Sequence, residues 1–379
     1  MASDAFRSIT IKGFRSIRSI ENLGLRPVNL LIGSNGSGKS NFVAIFQLLK
    51  EIRGGRLREF VALSGGAEKV LYFGSKSTNE LVMHFYFNNP ENYASGSNVD
   101  RHYRIVMSPS ADEGLFVVRE DVYFGAPPNV SKGFANPLKI DARESFIIGS
   151  PEVSSPEWLF ESIDAIGIYH PHDTSTSAPM RKTVNINDNR VLRADGDNLA
   201  AFLYRLHQKH KASYVLIRNV VRQVAPFFDD FQLEPLALNP ETIKLEWRHK
   251  SSDQYFYVSS LSDGTLRFIA LATLFLQPVE LRPSVILVDE PELGLHPYAI
   301  ELLASLIRQA SRETQVIAAT QSPLLLDYFE PEDILVADRV NGATEIRRLE
   351  PEPLTEWLRD YSLRQLWEKG ELAGRPVKE

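Results

Sequence analysis

The sequence predicts an α/β protein built around a mainly parallel sheet, and two observations carry that prediction. Apolar strands occur at 27–33 (PVNLLIG), 284–290 (SVILVDE) and 315–320 (QVIAAT), each apolar almost throughout, as strands buried on both faces are. Helical patterns alternate with them, for example at 39–52, and this alternation is typical of parallel sheets. Residues 70–250 separate the first strand from the other two, so we expect the core to be split in sequence and rejoined in space.

The other elements follow in chain order. Residues 6–14 alternate between polar and apolar side chains, which predicts a strand. Further strands are predicted at 69–74, 80–88, 101–108, 115–125, 165–170, 242–249, 254–258, 333–338 and 344–350. Further helices are predicted at 195–210, 212–228, within 259–277, at 297–312 and, amphipathic, at 354–371. The strands up to 125 are separated by turn-rich segments and are expected to form an antiparallel sheet, and 126–160 is expected to be irregular.

The composition excludes several classes of protein. Cysteine is absent, so disulfides, thiolate metal sites and cysteine nucleophiles are excluded. No apolar run approaches the roughly 18 residues of a membrane helix, and the N-terminus lacks a secretory signal, so we expect a cytoplasmic protein with no membrane partner. The net charge of −6 is not that of a dedicated nucleic-acid binder. Basic segments at 53–58 and 207–211 could form a local patch or be solvated faces.

A glycine-rich segment, GSNGSGKS at 33–40, joins the first buried strand to the helix after it. It fits the phosphate-binding loop pattern (Walker A), in which glycines let backbone N–H groups surround the phosphates and the helix N-terminus adds a favourable dipole. Lys39 is expected to reach the β and γ phosphates, and the Ser40 hydroxyl to ligate Mg²⁺. The expected nucleotide-binding residues here are Gly33, Ser34, Asn35, Gly36, Ser37, Gly38, Lys39, Ser40 and Asn41.

Two acidic residues end the second buried strand, as in a Walker B motif. Asp289 is placed to hold Mg²⁺ through water, and Glu290 to orient and activate an attacking water. Two carboxylates after four apolar residues suit an ordinary core strand poorly, which favours the catalytic interpretation. Glu292 and His296 are further candidates, although His296 could instead cap the next helix or pack against it.

The segment SSLSDGTLRF at 259–268 opens a long apolar helix. Ser262 is a candidate N-cap, Gly264 permits close approach of another backbone, and the helix start directs free N–H groups outward. Taken alone, the segment is either an ordinary capped helix or a second anion site far from the first in sequence.

The order of these motifs resembles that of ABC-type ATPases. Conventional members carry LSGGQ where this chain has LSDGT. The similarity is to the RecF/SMC/OLD branch and, more closely, to stand-alone predicted AAA-type ATPases, over about 1–52 and 255–338. It rests on IKGFRS (11–16), IGSNGSGKSN (32–41), LSDGTLRF (261–268), DEPELGLHP (289–297) and ATQSPLLLD (319–327).

The resemblance implies the fold class, an α/β P-loop NTPase with an ABC-type ATPase head. This head has a mainly parallel core sheet, an N-terminal antiparallel β subdomain, and a helical lobe inserted between Walker A and the signature motif. The chain, 1–379, would form one split domain. Its expected parts are a nucleotide-binding core at 1–69 and 250–350, an antiparallel β subdomain at 70–165, a helical lobe at 166–249 and a C-terminal helix at 351–379.

The resemblance also implies a homodimer. Two heads would meet face to face around two ATP molecules, each signature motif touching the γ phosphate held by the other head. The residues acting in trans would be Ser262, Asp263, Gly264 and Thr265. Asp263 stands where the conventional motif has glycine. It would weaken the pairing of the two heads if it faced the phosphate. It would leave the site unharmed if it capped its own helix or paired with a basic residue such as Arg267.

Catalytic and metal roles follow from the same resemblance. The catalytic residues would be Glu290, Lys39 and Gln321, with Mg²⁺ held by Ser40 and Asp289. Gln321 stands where this branch usually presents histidine, and glutamine can donate a hydrogen bond but carries no charge, so hydrolysis could be slow. Arg15, and with it Lys12, would lie near the nucleotide or be surface charges. A Q-loop glutamine is not identifiable, since Gln47 lies too early, inside the Walker A helix, and the segment 73–80 contains none.

The predicted function is a dimeric ATPase, using ATP and Mg²⁺, whose head engagement controls a separate DNA-related or antiphage effector such as a nuclease or toxin. The absence of a second active-site pattern supports a separate effector, and the absence of a long heptad segment argues against an SMC-like coiled-coil arm. DNA is a candidate ligand. The alternatives are a RecF-like DNA-repair clamp, which the net charge disfavours, a slowly hydrolysing nucleotide-dependent switch, and a transporter subunit, which the motifs disfavour.

Overall fold

A computed structural model describes residues 5–88, 100–125, 144–145, 147–148, 157–171, 173–175 and 177–372. The strands are β1 (Phe6–Phe14), β2 (Ile17–Gly24), β3 (Val28–Ile32), β4 (Leu81–Phe87), β5 (Asp100–Pro109), β6 (Leu115–Gly125), β7 (Ile166–Tyr169), β8 (Val184–Asn185), β9 (Phe228–Gln232), β10 (Pro235–Leu236), β11 (Asn239–Ile243), β12 (Glu246–His249), β13 (Tyr255–Tyr257), β14 (Val285–Asp289), β15 (Gln315–Thr320), β16 (Ile334–Val340) and β17 (Ala343–Arg348). The helices are α1 (Lys39–Arg53), α2 (Leu57–Leu63), α3 (Ala67–Val70), α4 (Glu157–Asp164), α5 (Leu199–Lys209), α6 (Lys211–Val224), α7 (Asp263–Leu276), α8 (Pro297–Ala310), α9 (Pro323–Leu326), α10 (Pro351–Leu354) and α11 (Leu363–Lys369).

The core is a six-stranded sheet in the order β17-β16-β3-β15-β14-β7. The strands from β16 to β7 run parallel, and β17 pairs antiparallel with β16 at one edge. The three apolar strands of the sequence therefore meet as neighbours, and the prediction of a split, mainly parallel core is confirmed. Their carboxyl ends share one edge of the sheet, which is where ligands bind in open α/β folds.

A second sheet is antiparallel and five-stranded, in the order β2-β1-β4-β5-β6. The strand predicted at 6–14 belongs here, paired with β4, and so do the strands predicted up to 125. The prediction of a strand at 69–74 is wrong. Residues 67–70 form the short helix α3, and Leu71 makes an isolated β-bridge to Phe14.

Helix α1 lies between the two sheets. Its Phe42 and Phe46 are fully buried and join one hydrophobic cluster with Phe6 of β1 and Leu31 of β3. The neighbouring β3 residues Leu30 and Ile32 belong to a second cluster on the opposite face of the core sheet, to which helices α5, α6, α7 and α8 contribute. This alternation is why β3 is apolar except at Asn29, and it holds the loop at the start of α1 against the sheet edge.

Between β6 and α7, the structure differs from several predicted boundaries. The expected division placed 166–169 in the helical lobe, whereas β7 pairs with β14 in the core sheet. The helix predicted at 212–228 ends at Val224 because Pro226 lacks a backbone N–H and disfavours helical geometry in the residue before it. The strand predicted at 242–249 is interrupted, since β11 pairs with β8 and β12 pairs with β9 and β13 in a different sheet.

The helix predicted at 354–371 is broken into α10, a short 3-10 turn and α11. A capping box formed by Ser362 and Gln365 starts α11 anew, and Gly370 ends it in the left-handed conformation. Most of the irregular segment predicted at 126–160 lies outside the described residues, but α4 already begins at Glu157. Among the described residues, none of the helices has the length and apolar character needed to cross a membrane.

Candidate functional site

The glycine-rich loop joins the end of β3 to α1 at the carboxyl edge of the core sheet. Lys39 is 6% exposed, and its Nζ donates to the carbonyl oxygens of Gly33 (2.7 Å) and Ser34 (3.0 Å). Burial lowers the pKa of the Lys39 ammonium, and the carboxylates of Glu290, Asp289 and Glu292 oppose that shift. The cation therefore lies in the loop, within the electrostatic influence of these acidic side chains.

A hydrogen-bond chain supports this loop from behind. Asn41 Nδ2 donates to Ser16 Oγ (2.6 Å), Ser16 Oγ lies 2.7 Å from Thr344 Oγ1, and Thr344 Oγ1 donates to the carbonyl oxygen of Ser37 (2.8 Å). Because the single hydroxyl proton of Thr344 goes to Ser37, Ser16 must donate to Thr344. Gly38 has φ +104°, and a Cβ there would collide with Thr344 Oγ1, so this glycine is required both by its conformation and by the close approach.

The side chain of Asn41 is hydrogen-bonded to Ser16, and that of Arg15 lies over two aromatic rings. The Arg15 guanidinium carbon lies 5.3 Å from the centre of the Phe14 ring and 5.9 Å from that of Phe60, and burial lowers its pKa. Lys12 forms an ion pair with Glu21 (2.7 Å).

The acidic candidates lie two strands away from β3, at the end of β14, and Gln321 follows β15, the strand between them. β14 ends at Asp289, and the next residue, Glu290, has φ +41° and donates its backbone N–H to Ala319 O (2.7 Å) at the end of β15. Gln321 follows β15, and its Nε2 donates to Glu290 Oε1. A non-glycine residue in the left-handed region is uncommon, and such strain is concentrated at functional sites.

Glu292 is buried (7% exposed) beside this pair. Its Oε1 accepts from Thr320 Oγ1 (2.6 Å) and from the backbone N–H groups of Gln321 (3.4 Å) and Ser322 (3.3 Å). Its Oε2 is buried and has no hydrogen-bond partner among the described residues. Burial raises the pKa of the Glu292 carboxyl, and these hydrogen bonds oppose the shift. Glu292 thus holds the segment that carries Gln321 next to the end of β14.

The signature segment forms the start of α7. Ser262 caps the helix by accepting from the N–H of Thr265 (3.2 Å), as predicted. Asp263 pairs with Arg181 (2.7 Å), rather than with Arg267, the basic partner suggested as an example. Arg267 donates its Nε to Pro171 O (2.9 Å) and its Nη1 to Leu293 O.

The segment after Glu292 packs against the signature helix of the same chain. A Cβ on Gly264 would collide with the carbonyl oxygen of Gly294. Gly264 is therefore required within the subunit itself, whatever it does in a dimer. His296 caps α8, accepting at Nδ1 from Tyr298 N–H (3.3 Å), so the capping alternative for this residue is the one the structure supports.

The structure thus brings Lys39, Asp289, Glu290 and Gln321 to one edge of the sheet. Sequence reasoning missed Thr344 and Arg181, which contact residues far away in sequence. Neither lies in a motif, so a single sequence offers no local signal for them.

These residues fit a nucleotide and its metal ion. The Lys39 ammonium already binds oxygen atoms of the loop that would surround phosphate, and Gly36 has φ +79° with open space beside it, so the loop backbone can follow a polyanion closely. Asp289 provides a hard carboxylate, and Ser40 is exposed at the first turn of α1, which is the donor set that Mg²⁺ prefers.

Comparison with known proteins agrees with this architecture. A family model described as "AAA domain, putative AbiEii toxin, Type IV TA system" matches residues 28–327, and the chain belongs to that AAA-domain family. A search of curated proteins found no match.

Solved structures show the same fold in SMC heads. A crystal structure of the SmcHead bound to the C-winged helix domain of ScpA matches with TM-score 0.61 at 18% identity, covering 92% of this chain and 99% of that one. An Smc head with an extended coiled coil, bound to the C-terminal domain of ScpA and derived from Pyrococcus furiosus, matches with TM-score 0.57 at 17% identity, covering 94% and 98%. An Smc head with a coiled coil and joint from Pyrococcus yayanosii gives 0.53 at 13%, covering 94% and 99%. The protein is thus an α/β P-loop protein of that AAA-domain family, and it has the fold of an SMC head.

Proposed function

We propose that this protein binds ATP with Mg²⁺, hydrolyses it, and uses ATP-dependent pairing of two heads to control a separate effector. The observation that carries the proposal is the position of Lys39, which is bonded to Gly33 O and Ser34 O in the loop at the same edge of the sheet where β14 ends in Asp289. A buried lysine in a glycine-rich loop opposite a catalytic carboxylate is the arrangement that phosphoryl transfer to water requires.

Each residue has a distinct role in this proposal. Lys39 would exchange its bonds to the loop carbonyls for bonds to the β and γ phosphates. Glu290 would accept a proton from the attacking water, and Gln321, which donates to Glu290 Oε1, would fix the orientation of that carboxylate. Bound Mg²⁺, held by Ser40 and Asp289, would neutralise phosphate charge. Because Gln321 is uncharged, we expect slow turnover.

Pairing of heads is supported by the signature helix. Its first residues, Ser262 and Asp263, are exposed rather than turned into the subunit. A helix start presented to solvent suits contact with a phosphate held by a second copy. The signature residues Ser262, Asp263, Gly264 and Thr265 would therefore act in trans.

The effector proposal is supported from two sides. The family description names a toxin and a type IV TA system, and two of the matching Smc heads are bound to a domain of ScpA, a second protein. We therefore propose a toxin or nuclease as partner. The net charge of −6 disfavours a DNA-repair clamp.

The test is the hydrolysis rate of the Glu290→Gln variant, with Lys39→Ala as the binding control. We expect Glu290→Gln to retain ATP affinity and lose turnover by at least about a hundredfold, in line with removal of a general base. Lys39→Ala should lose ATP binding. Equal turnover of Glu290→Gln and the unmodified protein would remove Glu290 from the mechanism, and retained affinity in Lys39→Ala would remove the loop assignment.

A further inference from the structure

Arg181 lies beneath the signature segment in a rigid setting. It ends a short 3-10 helix, Pro179–Arg181, and its side chain is only 7% exposed. Its Nε donates to Thr174 O (3.0 Å), its Nη1 to Val258 O (2.6 Å), and its Nη2 lies 3.4 Å from Leu261 O. These backbone acceptors come from two separate segments, so the plane of the guanidinium is fixed on several sides.

The remaining partner of Arg181 is a side-chain carboxylate rather than a backbone carbonyl. Nη2 donates to Asp263 Oδ1 (2.7 Å), and the Asp263 side chain is 66% exposed. Asp263 is the first residue of α7, and Ser262 already caps this helix. The carboxylate therefore has room to rotate into solvent without breaking the cap, whereas the arginine cannot move without losing its backbone acceptors.

We propose that Arg181 is a phosphate-binding residue of the signature site, and that Asp263 occupies it in the free subunit as a stand-in for phosphate. This inference rests on the proposed function, because the phosphate would be the terminal phosphate of ATP held by the partner subunit. Arginine binds carboxylate and phosphate oxygens with the same planar geometry. When that phosphate arrives, repulsion between like charges would turn Asp263 into solvent, and Nη2 would change partners.

The exchange accounts for the aspartate in this signature. An unpaired carboxylate at the helix start would repel a polyanion. A carboxylate paired with a fixed arginine is neutralised while the subunit is free, and because the Asp263 side chain is 66% exposed, water can solvate it when phosphate replaces it. Asp263 would then set a threshold for dimerisation, since the incoming phosphate must compete with it for Arg181.

The experiment is a double-mutant cycle on ATP-dependent dimerisation, measured as a dimer dissociation constant by analytical ultracentrifugation in the Glu290→Gln background. We expect Asp263→Asn to tighten the dimer by about three- to tenfold, and Arg181→Lys to weaken it by at least about fivefold with monomer ATP affinity unchanged. The gain from Asp263→Asn should disappear in the double variant, because the competition needs Arg181. Arg193→Lys is the matched control, since Arg193 pairs with Asp188 (2.7 Å) and Asp197 (3.4 Å) in the same region and should leave the dimer unchanged.

The outcomes separate the two proposals. If the Glu290→Gln protein never dimerises with ATP, the proposed function fails and this inference with it. If it dimerises but Asp263→Asn has the same effect with and without Arg181, or leaves the dimer unchanged, the inference alone fails. Asp263→Asn keeps the arginine and its backbone bonds, so an unchanged dimer in this variant overturns the inference even if Arg181→Lys disturbs folding.

Discussion

Replacement of Thr344 by valine tests whether the hairpin formed by β16 and β17 positions the phosphate-binding loop. Thr344 is 1% exposed, and its hydroxyl joins Ser16 Oγ (2.7 Å) to Ser37 O (2.8 Å). Valine keeps the shape but removes the hydroxyl, so the Ser37 carbonyl loses a donor and Ser16 loses an acceptor.

The cost follows from those two groups. Leaving buried polar partners unsatisfied costs about 1–3 kcal/mol, and we expect this loss in the free energy of unfolding. Ser37 lies inside the loop, so part of the cost should appear in ligand binding as well. If about 1 kcal/mol is expressed there, ATP affinity falls about fivefold. Urea unfolding and calorimetric titration with ATP measure the two quantities on the same protein.

Thr273→Val is the matched control. Thr273 is fully buried in α7, and its hydroxyl donates to Ile269 O (2.8 Å), a carbonyl far in sequence from the loop. This variant should also lose stability but should bind ATP like the unmodified protein. Unchanged ATP affinity in a destabilised Thr344→Val, or an equal loss of affinity in both variants, would show that Thr344 does not position the loop.

Two further predictions concern Glu292 and Gly264. Burial raises the pKa of Glu292, so the stability that its neutral form contributes is present at low pH and is lost as pH rises through the folded-state pKa. Glu292→Gln removes the buried charge and keeps the acceptor oxygen. We therefore expect it to stabilise the protein by about 1 kcal/mol near neutral pH but not at low pH, as measured by urea unfolding at both pH values. No difference between the two pH values would contradict this. Gly264→Ala should destabilise the monomer by about 1–3 kcal/mol, because its Cβ would collide with Gly294 O. Gly24→Ala is the control and should not destabilise it, because the space around Gly24 is open. A Gly264→Ala monomer of unchanged stability would contradict the contact.

The elements that sequence reasoning located well are those whose cause is local. The apolar strands at β3, β14 and β15, the glycines before Lys39 and the Ser262 cap all express short-range rules, and the structure has each of them in place. The expectation that the core strands are buried on both faces also followed from such patterns, because strands of this kind are apolar almost throughout.

The parts that could not be predicted depend on contacts between distant segments. Thr344 reaches Ser37 across 307 positions of sequence, and Arg181 reaches Asp263 across 82. The C-terminal tail fits one helical pattern, but the cap at Ser362 divides it. The interpretation of Gly264 also changed, since its missing side chain is already required by Gly294 of the same chain.

Pairing of two heads around ATP can be measured as the mass of the Glu290→Gln protein with and without ATP. Without nucleotide, we expect the monomer mass of 42.8 kDa. With saturating ATP and Mg²⁺, hydrolysis is blocked, so the paired state should accumulate at twice that mass. A monomer mass at ATP concentrations that saturate the site would contradict the account.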